Sequence, residues 1–206
     1  RFTSADFKKQ KEWINFKVVW LKQIHSDTIR FIEKLPRRRL QGDALATNRP
    51  GIFLVIKTAD CLPVFLVDES SQVIAAVHCG WRGTRQRILE GVVRGLRARY
   101  GSEPASLLVV FGPHIGPSCY EVGEDVRQDF QKAHLPADVF RPRPGQPGKF
   151  RLDLAEANRR QLIGQGVCPE NIVEADICTH CDGRFLSYRR DRNKTARLDN
   201  FIGLAF

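Results

Sequence analysis

Three short segments carry side chains that could hold one divalent metal ion: QIHSD with His25, TADCLPV with Cys61 and VHCGWRGT with His78. Thiolate and imidazole are the donors zinc takes, and catalytic zinc sites commonly use three protein ligands with a fourth position left open. One pairing follows from strand register. Residues 63–68 (PVFLVD) and 72–78 (QVIAAVH) are β-forming runs joined by a polar link, DESSQ, which predicts an antiparallel hairpin. With the turn centred near Ser70, position 61 faces the region of His78 and Cys79 at the open end. Cross-strand Cβ atoms lie roughly 5 Å apart, so Cys61 and His78 could share an ion. A slip of one residue would substitute Cys79 for His78. His25 ends a strand-like run, FKVVWLKQI, and spacing alone favours reading it as a surface or core-edge histidine over a ligand. Cys61 taken alone is more often a buried small hydrophobe than a ligand.

The segment HCGWRGT leads from a strand into an Arg-rich helix. Gly80, Arg82, Gly83 and Thr84 at a helix start offer free backbone N–H groups and a positive dipole end, an arrangement suited to phosphate or a substrate oxyanion. The bland alternative is a tight turn over Trp81. A second glycine loop, GPHIGPSCYEVG (112–123), contributes His114, Cys119 and Glu121; with Asp60, the groups His114 and Glu121 are the available proton-transfer residues, and the sequence does not rank them. SYRRDRNK (187–194) offers Arg189 and Arg190 as secondary anion contacts, although a solvated basic strand edge is the favoured reading of that stretch by itself. CTHC (178–181) has no second CxxC, which disfavours a zinc-ribbon or redox reading.

Strands are expected at 51–58, 106–111, 172–178, 185–189 and 200–205, besides the two of the hairpin. Helices are expected from about Thr84 to a C-cap at Gly101, over 123–134 and over 154–164, with a Pro/Gly surface loop at 141–149. Strands outnumber helices and hairpins mix with crossovers, which predicts an α+β fold with mixed β-sheets in a single domain, residues 1–206. The chain of 206 residues is long enough for a core without disulfide staples. Its net charge of +10 favours acidic partners without choosing among them. Six cysteines without a disulfide framework fit a reducing, cytoplasmic setting, and no apolar run is long enough to span a bilayer. The sequence opens on Arg1 and contains no Met, so a segment is expected to be missing at the front.

Taken together, QIHSD, TADCLPV, VHCGWRGT, GPHIGPSCYEVG, LDLAEANRRQL, ICT and FLSYRRD resemble one family from roughly Val18 to the end. It is the family first labelled multicopper polyphenol oxidase or laccase-domain proteins and later purine nucleoside phosphorylases. The resemblance implies a sandwich of mixed sheets flanked by helices and a His–Cys–His metal triad falling on His25, Cys61 and His78. It also implies zinc-dependent phosphorolysis of adenosine, inosine, guanosine and methylthioadenosine, with some adenosine deamination; some members are described as peptidoglycan-editing factors. Copper is the poorer fit, because multicopper chemistry needs many imidazoles and this chain has five His. The expected partners are therefore a purine nucleoside and phosphate, with no membrane; the oligomeric state is left open. The catalytic group is expected to comprise Cys61, His78, Arg82 and Glu121. Departures include Ser26, where the family usually has Gly, and TAR (195–197) in place of Thr-Gly-Arg; residues 1–17 do not match the family's N-terminal elements.

Two other readings compete. A thiol hydrolase would use Cys61 as nucleophile and His78 as base. RNA binding through the Arg-rich helix and PRRR (36–39) is disfavoured by the lack of any nucleic-acid module.

Overall fold

Alternation along the central strands decides the layering. In the computed structural model, which describes residues 16–193 and 195–205, the chain forms β1 (Lys17–Trp20), β2 (Ile29–Phe31), β3 (Ala44–Thr47), β4 (Ile52–Thr58), β5 (Leu62–Asp68) and β6 (Val73–Cys79). Leu62, Val64 and Leu66 of β5, with Val73, Ala75, Val77 and Cys79 of β6, enter one apolar cluster. The intervening Phe65, Val67, Ile74 and Ala76 enter a second cluster. A period of two with both faces apolar is what a sheet covered on both sides requires.

The next elements are two helices, α1 (Trp81–Arg85) and α2 (Ile88–Tyr100), then β7 (Leu108–Phe111), β8 (Glu121–Gly123) and α3 (Glu124–Lys132). There follow β9 (Phe140–Pro142), β10 (Lys149–Leu152), α4 (Leu154–Gly164), β11 (Ile172–Glu174), α5 (Tyr188–Asp191) and β12 (Leu198–Leu204). A mixed six-stranded sheet runs in the order β11-β7-β5-β6-β3-β2, a mixed three-stranded sheet in the order β1-β4-β12, and a small antiparallel sheet in the order β8-β10-β9. The first cluster lies between the large sheet and α2, α3 and α4, through Ile88, Val92, Leu96, Phe130, Leu154 and Leu162. The second joins the large sheet to the β1-β4-β12 sheet through Val19, Leu54 and Ile56. Each such fully buried Leu or Ile adds about 2 kcal/mol of transfer free energy. The fold is α+β with mixed sheets, as its composition in strands and helices predicts.

Several local expectations are corrected. The hairpin register pairs Leu62 with Cys79 and Pro63 with His78, so Cys61 falls opposite Gly80 and diagonal to His78. The helix expected from Thr84 begins at Trp81 and breaks at Arg87, whose φ of 60° is left-handed. Arg87 is held there by Glu90 and by the carbonyls of Ala133 and His134. The loop at 141–149 is the tip of the β9–β10 hairpin. The strand expected over 172–178 stops at Glu174, and 185–189 forms no strand: Ser187 caps α5 by accepting the Arg190 N–H at 3.1 Å. Gly101 closes α2 in the left-handed conformation at φ 72°, as expected. Residues 1–15 lie outside the described residues. Among the described residues, no helix is long and apolar enough to cross a membrane.

Candidate metal centre

The chain leaves the β1-β4-β12 sheet at Thr58 and enters the six-stranded one at Leu62, and Cys61 sits in the corner between them. Asp60 makes that corner with a left-handed φ of 89°. His78, the penultimate residue of β6, lies on the face that β1, β4 and β12 cover. His25 lies in the loop after β1, also left-handed at φ 57°. The three ligand atoms all fall within 4.8 Å of one another. The rings of His25 and His78 meet edge to face at 4.9 Å. Gly80 completes the enclosure by having no side chain: a Cβ there would stand 3.1 Å from Cys61 Sγ and 3.3 Å from His25 Cδ2.

Asp43, fully buried, organises this site, and the sequence carries little sign of it. Register explains its position: β3 pairs Ala44 with Val77, so Asp43 is the next cross-strand neighbour of His78. One carboxylate oxygen accepts from His78 Nδ1 at 2.8 Å and from the His25 N–H at 3.0 Å. The other accepts the N–H of Ile24 at 3.2 Å and the N–H and hydroxyl of Ser26 at 2.7 and 2.8 Å. Three successive amides around one anion form a nest, which fixes the His25 loop. Ser26 thus adds a hydroxyl donor to the carboxylate. Because Nδ1 of His78 is occupied, Nε2 is the nitrogen left for an ion; carboxylate–histidine–metal chains orient and strengthen such ligands.

Charge follows geometry. Burial alone would raise the Asp43 carboxyl, but the hydrogen bonds from His78 and Ser26 outweigh it and hold it at about 2. Burial also opposes ionisation of Cys61, yet the His78 charge and a hydrogen bond from His25 bring its thiol down to about 6. His78 is pushed up to about 9, burial being overcome by the Cys61 thiolate and Asp43. A thiolate is the form that binds metal, so the donor set fits a soft or borderline divalent ion.

The site opens into a cleft of about 520 Å³ whose wall includes Lys22, Arg39, Lys57, Tyr188 and Arg197. The four cations Lys22, Arg39, Lys57 and Arg197 were not among the expected anion contacts. The expected ones divide. Arg82 is exposed and stacks 4.4 Å over Trp81, and no side chain caps the start of α1. Gly83 and Thr84 are buried, and the Thr84 hydroxyl bonds Asn158. Arg189 donates its guanidinium to the Glu121 carbonyl at 2.8 Å and its backbone N–H to Asp60 at 2.6 Å. Arg190 is spent on the carbonyls of Thr179, His180 and Phe185.

The three proton-transfer candidates all have partners. Asp60 accepts from Thr179 Oγ1 at 2.8 Å as well as from Arg189. His114 donates through Nδ1 to the Gly112 carbonyl and faces Glu174 at 3.7 Å. Glu121 pairs with Arg143. Tyr120, read in the sequence as a possible core residue, lies among these charges: burial, then the Cys61 and Asp60 charges, raise its hydroxyl, against Arg189 and Arg82.

Residues 4–205 match the family model described as multi-copper polyphenol oxidoreductase laccase. The chain belongs to this family. The match begins well before Val18, so the N-terminal residues are less foreign to the family than their motifs suggest. A purine nucleoside phosphorylase, YlmD of Geobacillus stearothermophilus, is 35% identical over 205 residues, covering 93% of this chain and 75% of that protein. An adenosine deaminase, RL5 of an unknown prokaryotic organism, is 40% identical over 153 residues, covering 73% of this chain and 58% of that protein. The crystal structure of the Bacillus licheniformis hypothetical protein YfiH superposes with a TM-score of 0.89 at 32% identity, covering 97% of this chain and 80% of that one. The laccase family therefore holds relatives named for nucleoside chemistry, and this chain is a member of that enzyme family.

Proposed function

We propose that this protein is a zinc-dependent purine nucleoside phosphorylase, acting on adenosine, inosine, guanosine or methylthioadenosine, with accompanying adenosine deamination. The reading rests above all on the three convergent ligand atoms of His25, Cys61 and His78 at a cation-walled cleft. One thiolate and two imidazoles with an open position suit a single catalytic zinc. Copper in the multi-site sense would need further imidazoles, and His114 is already committed to Gly112 and Glu174. When bound, zinc would supply Lewis-acid polarisation of an oxygen at the open position. The relatives named as phosphorylases support nucleoside and phosphate as the substrates.

In the reaction, a phosphate oxygen forms a bond to C1′ of the ribose as the bond from C1′ to the purine nitrogen breaks. The electron pair leaves with the base, which takes up a proton, and ribose 1-phosphate is released. The transition state has oxocarbenium character, so holding the phosphate in line matters most. Arg82, with the backbone of Gly80 and Gly83 at the start of α1, is assigned to phosphate; Arg189 is a secondary contact. Thr84 and Arg190 are assigned supporting roles instead, because their polar groups are occupied. Asp60 is a positioning residue that fixes Arg189 and the loop at Thr179. Glu121 stays a proton-transfer candidate through its exchangeable pairing with Arg143. We also take residues 1–206 as one catalytic domain working in the cytoplasm.

Release of hypoxanthine from inosine tests this reading. It is expected to require phosphate, to stop after chelation and to return with zinc; release that ignores both phosphate and chelation would refute it. The thiolate–imidazolium character of Cys61 and His78 favours one second reading, a cysteine hydrolase, including a peptidoglycan-editing role. Iodoacetamide decides between them: a zinc ligand is protected by bound metal, whereas a nucleophile reacts with activity lost whether zinc is present or not.

A further inference from the structure

CTHC has no second CxxC in the sequence, but the fold brings it a distant partner. Cys119, in the loop between β7 and β8, lies with Cys119 Sγ 3.3 Å from Cys181 Sγ, across 62 residues of chain. The ligand atoms of Cys119, His180 and Cys181 all fall within 4.8 Å of one another. Cys178 adjoins them on the same loop: its Sγ accepts the Gly116 N–H at 3.2 Å. All of these cysteines are free thiols, and Cys119, Cys178 and Cys181 are reachable from solvent.

We propose that Cys119, His180 and Cys181, with Cys178 as the fourth donor, form a second zinc site that is structural. The chemistry is that of a closed Cys₃His set, in which tetrahedral Zn–S bonds of about 2.3 Å place sulfurs about 3.8 Å apart. Small adjustments of these partly exposed side chains would reach that spacing from the arrangement present. Each thiol gives up its proton on binding. The consequence for the fold is specific. The two loops this ion joins are already tied by the His114–Cys178 bridge and by the Thr179 N–H to His114 carbonyl bond at 2.9 Å. The same CTHC segment presents Thr179 to Asp60 and its carbonyls to Arg190. Zinc here would therefore brace, from outside, the loop that leads to Arg189 and the cleft. It does not depend on the identity of the reaction.

Zinc per chain, measured by elemental analysis after desalting under reducing conditions, tests the proposal. Wild type is expected to hold two equivalents. Cys61→Ser and the double variant Cys119→Ser/Cys181→Ser are each expected to hold one. Because the double variant could fold poorly, cobalt is added in parallel to the Cys61→Ser protein, which leaves the second site whole. That protein should retain a strong thiolate-to-cobalt charge-transfer absorption, and His180→Ala in the same background should weaken it. One equivalent in wild type together with no sulfur-to-cobalt band in Cys61→Ser overturns the proposal. So does a Cys119–Cys181 disulfide found by mass spectrometry in protein kept reduced. Failure of the first site reads differently: Cys61→Ser would then hold as much zinc as wild type.

Discussion

Replacing Asp43 by Asn keeps the shape of a side chain that accepts five hydrogen bonds and removes its charge. Both oxygens face donors. If the amide NH₂ takes the first oxygen's place, it opposes the His25 N–H and His78 Nδ1–H; in the second's place, it opposes the amides of Ile24 and Ser26. The least costly escape is for His78 to change tautomer, accepting at Nδ1 and carrying its proton on Nε2. That proton would sit on the nitrogen that faces the ion. Loss of a carboxylate behind a ligating histidine typically costs 10–100-fold in metal affinity, or about 1.4–2.7 kcal/mol. Competition for zinc against a chromophoric chelator is the assay, with a urea melt alongside. Asp43→Asn should remain folded and bind added zinc at the His25–Cys61–His78 centre at least tenfold more weakly. Zinc affinity within twofold of wild type would refute the role given to Asp43.

Gly80→Ala should fold with a near-wild-type melting temperature, since φ −82° and ψ 167° suit any residue, yet lose zinc affinity severalfold because its Cβ presses on Cys61 and His25; unchanged affinity would contradict the crowding. Asp60→Ala should lower kcat for the proposed reaction about tenfold or more by releasing Thr179 and Arg189, while binding added zinc as wild type does; full activity in a steady-state assay would count against it. Asp68, nearly fully buried, is held at about 2 against an ordinary 3.8. Burial opposes ionisation, but the Ser70 hydroxyl and the Ser70 and Ser71 amides surround one oxygen, and the Ser102 hydroxyl stands beside the group outside strict hydrogen-bond geometry. A depressed carboxyl stabilises the fold above its unfolded value and loses that contribution as pH falls through the folded one. Urea melts of wild type and Asp68→Asn should therefore differ by about 2 kcal/mol at neutral pH and converge between about pH 4 and 2. A gap independent of pH would refute this.

What the sequence made legible was what repeats locally. The hairpin, α4 and the Gly101 cap each depend on residues close in the chain, and Cys61 and His78 came with the hairpin. Their detailed geometry depended on one step of register, which a four- or five-residue polar turn does not determine. His25 reached the site only through family resemblance, because its position depends on Asp43, and a single acid before an apolar strand reads as a solvated strand end. Cys119 and CTHC were visible as residues but not as neighbours, since contact across 62 positions is a property of topology. Arg190 and Thr84 looked like anion ligands because their types suit that work; the fold had already used their hydrogen bonds on backbone carbonyls and Asn158.

If the His25–Cys61–His78 centre carries phosphorolysis of a purine nucleoside, as proposed, inosine and inorganic phosphate are consumed together. Phosphorus NMR of zinc-loaded protein mixed with inosine and phosphate tests it most directly. Wild type should convert the phosphate signal to that of ribose 1-phosphate, and Cys61→Ala should leave it unchanged. An unaltered phosphate signal with wild type, or equal conversion by both proteins, would contradict the account.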